Sequence, residues 1–227
     1  MSSSLLKVTQ VLQALLVPVF LLGGSVRLVA SERFLEIEYA RSGFPPDPYG
    51  FSSSERLGLA RKNLEFVRLD LPLTALSQQQ IDGLPVYKQR ELSHMQDVQD
   101  VFQAAWRVWQ ISVGLILLTG ALQWSAMRKA AGMAASLQAG GLLTAGLITG
   151  IGLLAGFSWQ LWFELFHQFF FRPDSWLFYY SDTLIRLFPV QFWYDITSAA
   201  IVISLIGAVV VAFLGWRWKV LLMKSKP

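Results

Sequence analysis

Four long apolar runs alternate with two polar, charge-bearing segments along this chain. The runs are Leu5–Val29, Trp106–Met127, Ala134–Phe157 and Ile196–Trp216. Each supplies the roughly 20 apolar residues that a helix needs to cross a bilayer core about 30 Å thick. The pattern predicts an all-α integral membrane protein. Residues 1–227 read as a single membrane domain with transmembrane helices at about 5–29, 106–127, 134–157 and 196–216. Residues 30–105 and 158–195 form an amphipathic and loop cap on the outer face. The first run is longer than a signal-peptide core and no small-x-small site follows it, so it reads as a retained span.

Inside the first polar segment the periodicity changes repeatedly. "SSSE" places Ser52 three residues before Glu55, the spacing of a capping box. Leu57, Ala60, Leu64 and Val67 follow at helical spacing, predicting an amphipathic helix over 53–68. "FLEIEYA" alternates and reads as a short strand. "DGLPVY" marks a turn, after which a helix starting near Tyr87 runs on into the second span. The third span carries Gly140, Gly141, Gly146, Gly150, Gly152 and Gly156, and its Gly146-xxx-Gly150 and Gly152-xxx-Gly156 pairs predict close helix contact.

Charge orients the chain. With both termini and the turn at 128–133 on the cytoplasmic side, that side holds Lys7, Arg128, Lys129, Arg217, Lys219, Lys224 and Lys226 and no acid. All 15 acidic residues then fall outside. The short inner segments thus obey the positive-inside rule. The net charge of +4 is an orientation signal and implies no nucleic-acid partner. The absence of cysteine excludes disulfides, a thiolate nucleophile and cysteine metal sites. Residues 157–195 hold 16 of the 31 aromatic residues, which places the segment where apolar and wet regions meet. Such a segment suits a lipid-like ligand entering sideways; a plain anchoring belt also accounts for it.

Candidate chemistry centres on the only two histidines, His94 and His167. His94 lies 36 residues before position 130, the apex region of the hairpin of the second and third spans, and His167 lies 37 after it. Equal arms of an antiparallel hairpin predict that the two meet near the outer interface. Each arm is about 54 Å at 1.5 Å per residue, so the helices must tilt, bend or extend past the bilayer. Glu91 and Asp97 flank His94 at helical spacing, and Glu164 lies one turn from His167. A carboxylate so placed can fix a tautomer and stabilise an imidazolium. That equips the pair for general acid–base work. Bis-histidine haem ligation is a rival, weakened because both histidines lie outside the apolar runs. A zinc site would need a third ligand, and no HExxH spacing is present. No cofactor and no metal are expected. A non-catalytic lipid-binding or lipid-transport protein would use the same aromatic segment without needing both histidines. Arg27, at the outer end of the first span, either contacts a substrate ester or headgroup oxygen or simply snorkels.

The stretches "SERFLEIEYARSGF", "YGFSSSER", "NLEFV", "ELSHMQDVQDVF" and "FHQFFFRPDSWLFYYSDTLIRLFPVQFW" resemble the bacterial four-span family of lipoprotein intramolecular transacylases. The family pattern E-x-x-H-M-x-D-V falls on Glu91, His94, Met95, Asp97 and Val98. Its second pattern falls on Phe166, His167, Phe170, Asp174, Trp176, Asp182, Ile185, Pro189 and Phe192. The chain departs from the family at "FYYSD", which is more often Phe-Asp-Pro, and at Trp193, which replaces a Phe.

The resemblance implies catalysis by His94 and His167. Glu91, Asp97, Glu164, Asp174 and Asp182 would support them, and Arg27, Met95, Phe166, Phe170 and Trp176 would contact substrate. The reaction implied moves an ester-linked acyl chain of a diacylglyceryl-cysteine lipoprotein to that cysteine's own α-amine, on the outer face of the plasma membrane. An α-ammonium with a pKa near 8 must lose a proton before it attacks, and a neutral imidazole can take it and later return it to the glyceryl oxygen. The second imidazole can donate to the oxyanion. The expected partners are diacylated lipoproteins and membrane lipid, with the enzyme acting as a monomer.

Overall fold

The computed structural model describes residues 3–125 and 130–224. The turn carrying Arg128 and Lys129, and Lys226 near the C-terminus, lie outside the described residues. Nearly all regular structure is helical: α1 (Ser3–Val29), α2 (Glu32–Ala40), α3 (Ser53–Leu69), α4 (Thr74–Ser77), α5 (Gln89–Ser125), α6 (Ala130–Phe157), α7 (Trp159–Phe170), α8 (Thr183–Leu187) and α9 (Val190–Lys224). One two-residue hairpin, β1 (Gln80–Ile81) with β2 (Leu84–Pro85), pairs antiparallel with Ile81 opposite Leu84. Its turn residues Asp82 and Gly83 both have positive φ, 51° and 76°. Asp-Gly is suited to such a two-residue turn.

Four helices, α1, α5, α6 and α9, are long and apolar enough to cross a membrane. The protein is therefore a multi-pass membrane protein. In α5 the apolar part comes second. Arg90, Glu91, Asp97 and Asp100 fill its first turns, and the apolar stretch lies beyond them.

The described residues group into two compact units. One holds Met1–Arg27, Trp106–Leu154 and Ala199–Pro227. Its helices meet through small residues and buried polar pairs. A Cβ on Gly141 would lie 2.6 Å from the Ala212 backbone nitrogen, and one on Gly140 would lie 2.9 Å from the Ala14 carbonyl. Close packing thus runs through Gly140 and Gly141, whereas Gly146 and Gly150 face open space. The expected contact is therefore absent at Gly146 and Gly150 among the described residues, while a Cβ on Gly152 would meet Ile201 at 3.5 Å. Gln123 donates to Gln13 at 2.9 Å, and the Ser25 and Ser204 hydroxyls pair at 2.8 Å.

The second unit holds Leu28–Ala105 and Ala155–Ser198. Helix α3 starts at Ser52, whose hydroxyl accepts from the Glu55 N–H while the Glu55 carboxylate accepts from the Ser52 N–H. The capping box is formed as expected. "FLEIEYA" is not a strand: Ser31 caps a helix whose Leu35 and Glu38 are buried. Its apparent alternation is too short to outweigh that cap and the helical placement of Leu35 against Ala60 and Phe192. The main core gathers Leu59, Phe66, Leu76, Tyr87, Leu92, Met95 and Leu187.

Candidate active site

Both histidines belong to the second unit. His94 sits on the first turns of α5 and His167 near the end of α7. The third span does not carry the chain to His167 as one rod. It ends at Phe157, Ser158 adopts extended backbone and caps the following helix by accepting from the Leu161 N–H at 3.4 Å, and α7 begins afresh. The second arm is thus two helices joined at Ser158 and not one continuous rod.

The two imidazoles approach to 6.4 Å between ring centroids and lie 20° from parallel. Both are buried. Phe171 packs against both, at 4.9 Å from His94 and 5.5 Å from His167. Phe178 closes on His94 at 5.3 Å. Phe163 and Trp176 close on His167 at 4.0 and 4.8 Å. An aromatic cage of this kind disfavours charge on either ring. Burial, with the neighbouring His167 adding to the effect and Asp97 opposing it, pushes His94 down to about 4. Burial also lowers His167, against the pull of the Phe163 carbonyl.

Hydrogen bonding differs sharply between the two rings. His167 Nδ1 lies 2.7 Å from the Phe163 carbonyl oxygen. A carbonyl only accepts, so Nδ1 carries the proton and neutral His167 leaves Nε2 bare. His94 Nδ1 is buried and meets no hydrogen-bond partner among the described residues.

The carboxylates expected to hold these rings are engaged elsewhere. Buried Glu91 accepts from the backbone N–H of Lys88 at 2.9 Å and of Leu184 at 2.8 Å, which ties α5 to α8. Glu164 accepts from Gln160 at 3.5 Å. Asp97 pairs with Arg172 at 3.3 Å. Tautomer control through a carboxylate is therefore corrected to control through the Phe163 carbonyl, because a helical His readily reaches back to the carbonyl four residues earlier. Asp182 is buried and accepts from Lys88 at 2.7 Å, from Arg90 and from the Tyr179 N–H at 2.8 Å. Burial works to raise its pKa, but these donors outweigh that and hold it below the usual carboxylate range. Asp174 is exposed, in a left-handed turn at φ 62°.

Of the expected substrate contacts, Trp176 and Phe166 lie against His167, and Phe170 packs on Phe166 at 5.0 Å. Met95 is a core residue. Arg27 belongs to the other unit, where its guanidinium lies 4.0 Å over the Trp106 ring. Phe171 shares a helical face with His167 by its spacing alone, whereas Phe163, Phe178 and Arg172 carry no role in the sequence reading. The spacing of Phe163 and Phe171, four residues either side of His167, was the available signal.

A model of the family described as "Lipoprotein intramolecular transacylase Lit" matches residues 11–193. The chain belongs to this family. It is thus an acyltransferase, a lipoprotein intramolecular transacylase. An uncharacterized protein of Aquifex aeolicus (strain VF5) is 32% identical over 217 residues, covering 92% of this chain and 94% of that one. Among solved structures, the membrane integral lipoprotein intramolecular transacylase Lit from Bacillus cereus, determined in meso, is similar at TM-score 0.82. It is 16% identical, with 99% of this chain and 100% of that chain covered. A structure of the same Bacillus protein with one histidine replaced by alanine matches at TM-score 0.73, 15% identity, and 98% and 97% coverage. At these identities the structures establish the shared fold.

Proposed function

We propose that the protein moves an ester-linked acyl chain of a diacylglyceryl-cysteine lipoprotein to the α-amine of the same cysteine, giving an N-acyl lyso-lipoprotein. The observation that carries this reading is the pairing of the chain's only two histidines, 6.4 Å apart inside an aromatic cage. The tautomers divide the work. His167 Nε2 is a proton acceptor at rest. His94, with Nδ1 buried and unpartnered, presents Nε2–H as a donor to the developing oxyanion.

The substrate ammonium, with a pKa near 8, first loses one proton to solvent. Its amine attacks the ester carbonyl, forming the N–C bond. His167 takes the second amine proton and returns it to the glyceryl oxygen as the C–O bond breaks. An amide and a free hydroxyl result, and the enzyme ends unchanged. No acyl-enzyme is required, because the nucleophile belongs to the substrate and is held close to its electrophile. The aromatic cage excludes water, which would otherwise hydrolyse the ester. The reading places both termini in the cytoplasm, the histidines on the outer face of the plasma membrane, and a monomer as the working form. The one-sided acids motivate that orientation.

Purified enzyme and a synthetic diacylglyceryl-cysteine peptide test the reaction. The product should have the same mass as the substrate, while fragmentation moves one acyl chain from ester to amine. Loss of acyl mass, or unchanged fragmentation, would contradict it.

A further inference from the structure

Among the described residues, Asp97 is the carboxylate whose charge reaches an imidazole. It follows His94 by three residues on α5, a spacing that sets two side chains on one helical face, about 5–6 Å apart at their Cβ atoms. Its charge opposes the lowering of His94 by burial. Glu164 has the same spacing to His167, yet burial and the Phe163 carbonyl account for the His167 shift, with no share from Glu164. Glu91 and Asp182 are buried and committed. Glu91 accepts two backbone N–H groups, and Asp182 accepts from Lys88, Arg90 and the Tyr179 N–H.

Asp97 by contrast is 25% exposed, and its hydrogen bonds go to Arg172. Arg172 follows Phe171, the residue packed against both rings, so the pair stands at the rim of the cage. The contact is loose. One guanidinium nitrogen stands 3.3 Å from each carboxylate oxygen, and Arg172 is 76% exposed. An exposed pair of this kind is held weakly, so another cation can take the place of the guanidinium at little cost.

The transacylase substrate is such a cation. Its α-ammonium, with a pKa near 8, is charged at neutral pH. The cage beyond the rim is aromatic and disfavours charge. A carboxylate one turn from His94 can hold the ammonium beside the rings until it gives its proton to solvent.

We propose that Asp97 receives the substrate's α-ammonium at the rim of the histidine cage, in place of Arg172; the assignment rests on the transacylase reading above. The nitrogen is cationic when it docks. It is cationic again as the N–C bond forms, before His167 takes its proton. Asp97 faces that charge at both stages, so its contribution falls on KM more than on kcat. Arg172 competes with the substrate for the same carboxylate, so the two members of the pair act with opposite sign.

Steady-state kinetics of purified enzyme on a diacylglyceryl-cysteine peptide at about pH 7, where the ammonium is charged, test this. Asp97→Asn should raise KM by about fivefold, the upper range for a partly exposed ion pair, with a smaller change in kcat. Arg172→Gln removes the competing cation and should lower KM. An N-acetylated form of the peptide carries no ammonium, and its inhibition constant should be the same for the wild type and both variants. A pair that only braced the fold would weaken both variants alike and shift the inhibition constant with them. An unchanged KM in Asp97→Asn, a raised KM in Arg172→Gln, or an inhibition constant that follows the variants would overturn the ammonium assignment and leave the transacylase reading standing. Absence of acyl transfer by the wild type would overturn both.

Discussion

The His94 and His167 rings face each other across 6.4 Å with Phe171 packed against both. Two neutral imidazoles in one apolar cage can hold complementary tautomers, one bare and one protonated at Nε2. Two imidazolium rings there would repel and lack hydration. The cage thus sets the protonation state as well as the geometry.

Opening the cage should raise both pKa values, because burial is the largest cause of their depression. Phe171→Ala should move the His94 titration upward from about 4 toward the ordinary histidine value near 6.5. Imidazole Cε1–H chemical shifts followed against pH in detergent would show this. An unmoved midpoint would mean that another group sets the shift.

The pH–rate profile should reflect the same state. With burial holding both histidines below the ordinary histidine value, kcat/KM should climb through neutrality with the substrate ammonium, whose pKa is near 8. A limb centred at 6.5 would contradict the cage. Stability has a matching sign. Both folded-state pKa values lie below the unfolded value, so below about 6.5 the unfolded chain binds more protons. The contribution is complete above that pH and is lost as pH falls toward about 4. Thermal midpoints should fall over this window, and less steeply in His94→Ala.

Glu91 and Asp97 should separate into structural and near-neutral roles for stability. Glu91→Ala leaves two backbone N–H groups without their acceptor, at about 1–3 kcal/mol for a buried unsatisfied donor. Its melting temperature should drop by several degrees. Asp97→Asn breaks a pair whose Arg172 is 76% exposed, worth about 0–1 kcal/mol. Its midpoint should scarcely move. The reverse order would show that Glu91 is not the tie between α5 and α8.

Much of this was legible in sequence. The four spans follow from hydropathy, the α3 start from Ser52 and Glu55, and the meeting of the histidines from equal distances to the hairpin apex. What was not legible depends on tertiary choice. "FLEIEYA" alternates over too few residues to betray whether Leu35 will meet a helix or a strand neighbour. Glu91 carries the same helical spacing to His94 whether it bonds that ring or, as found, the N–H groups of Lys88 and Leu184. Gly146-xxx-Gly150 has the spacing of a contact, but among the described residues nothing lies within 4 Å of a Cβ placed there, while Gly140 and Gly141 take the close approach. Phe163 was hidden because its backbone oxygen, not its side-chain identity, fixes His167.

The most direct measurement of the central claim is the fragmentation pattern of a diacylglyceryl-cysteine peptide after incubation with His94→Ala, His167→Ala and the double variant. General acid–base groups contribute about 10²–10⁴-fold. Each single variant should therefore leave the acyl chains on the glyceryl oxygens over a period in which the wild type moves one to the amine completely. The variants should still purify as folded membrane proteins. Near-wild-type amide formation by the folded double variant would contradict the histidine-pair mechanism.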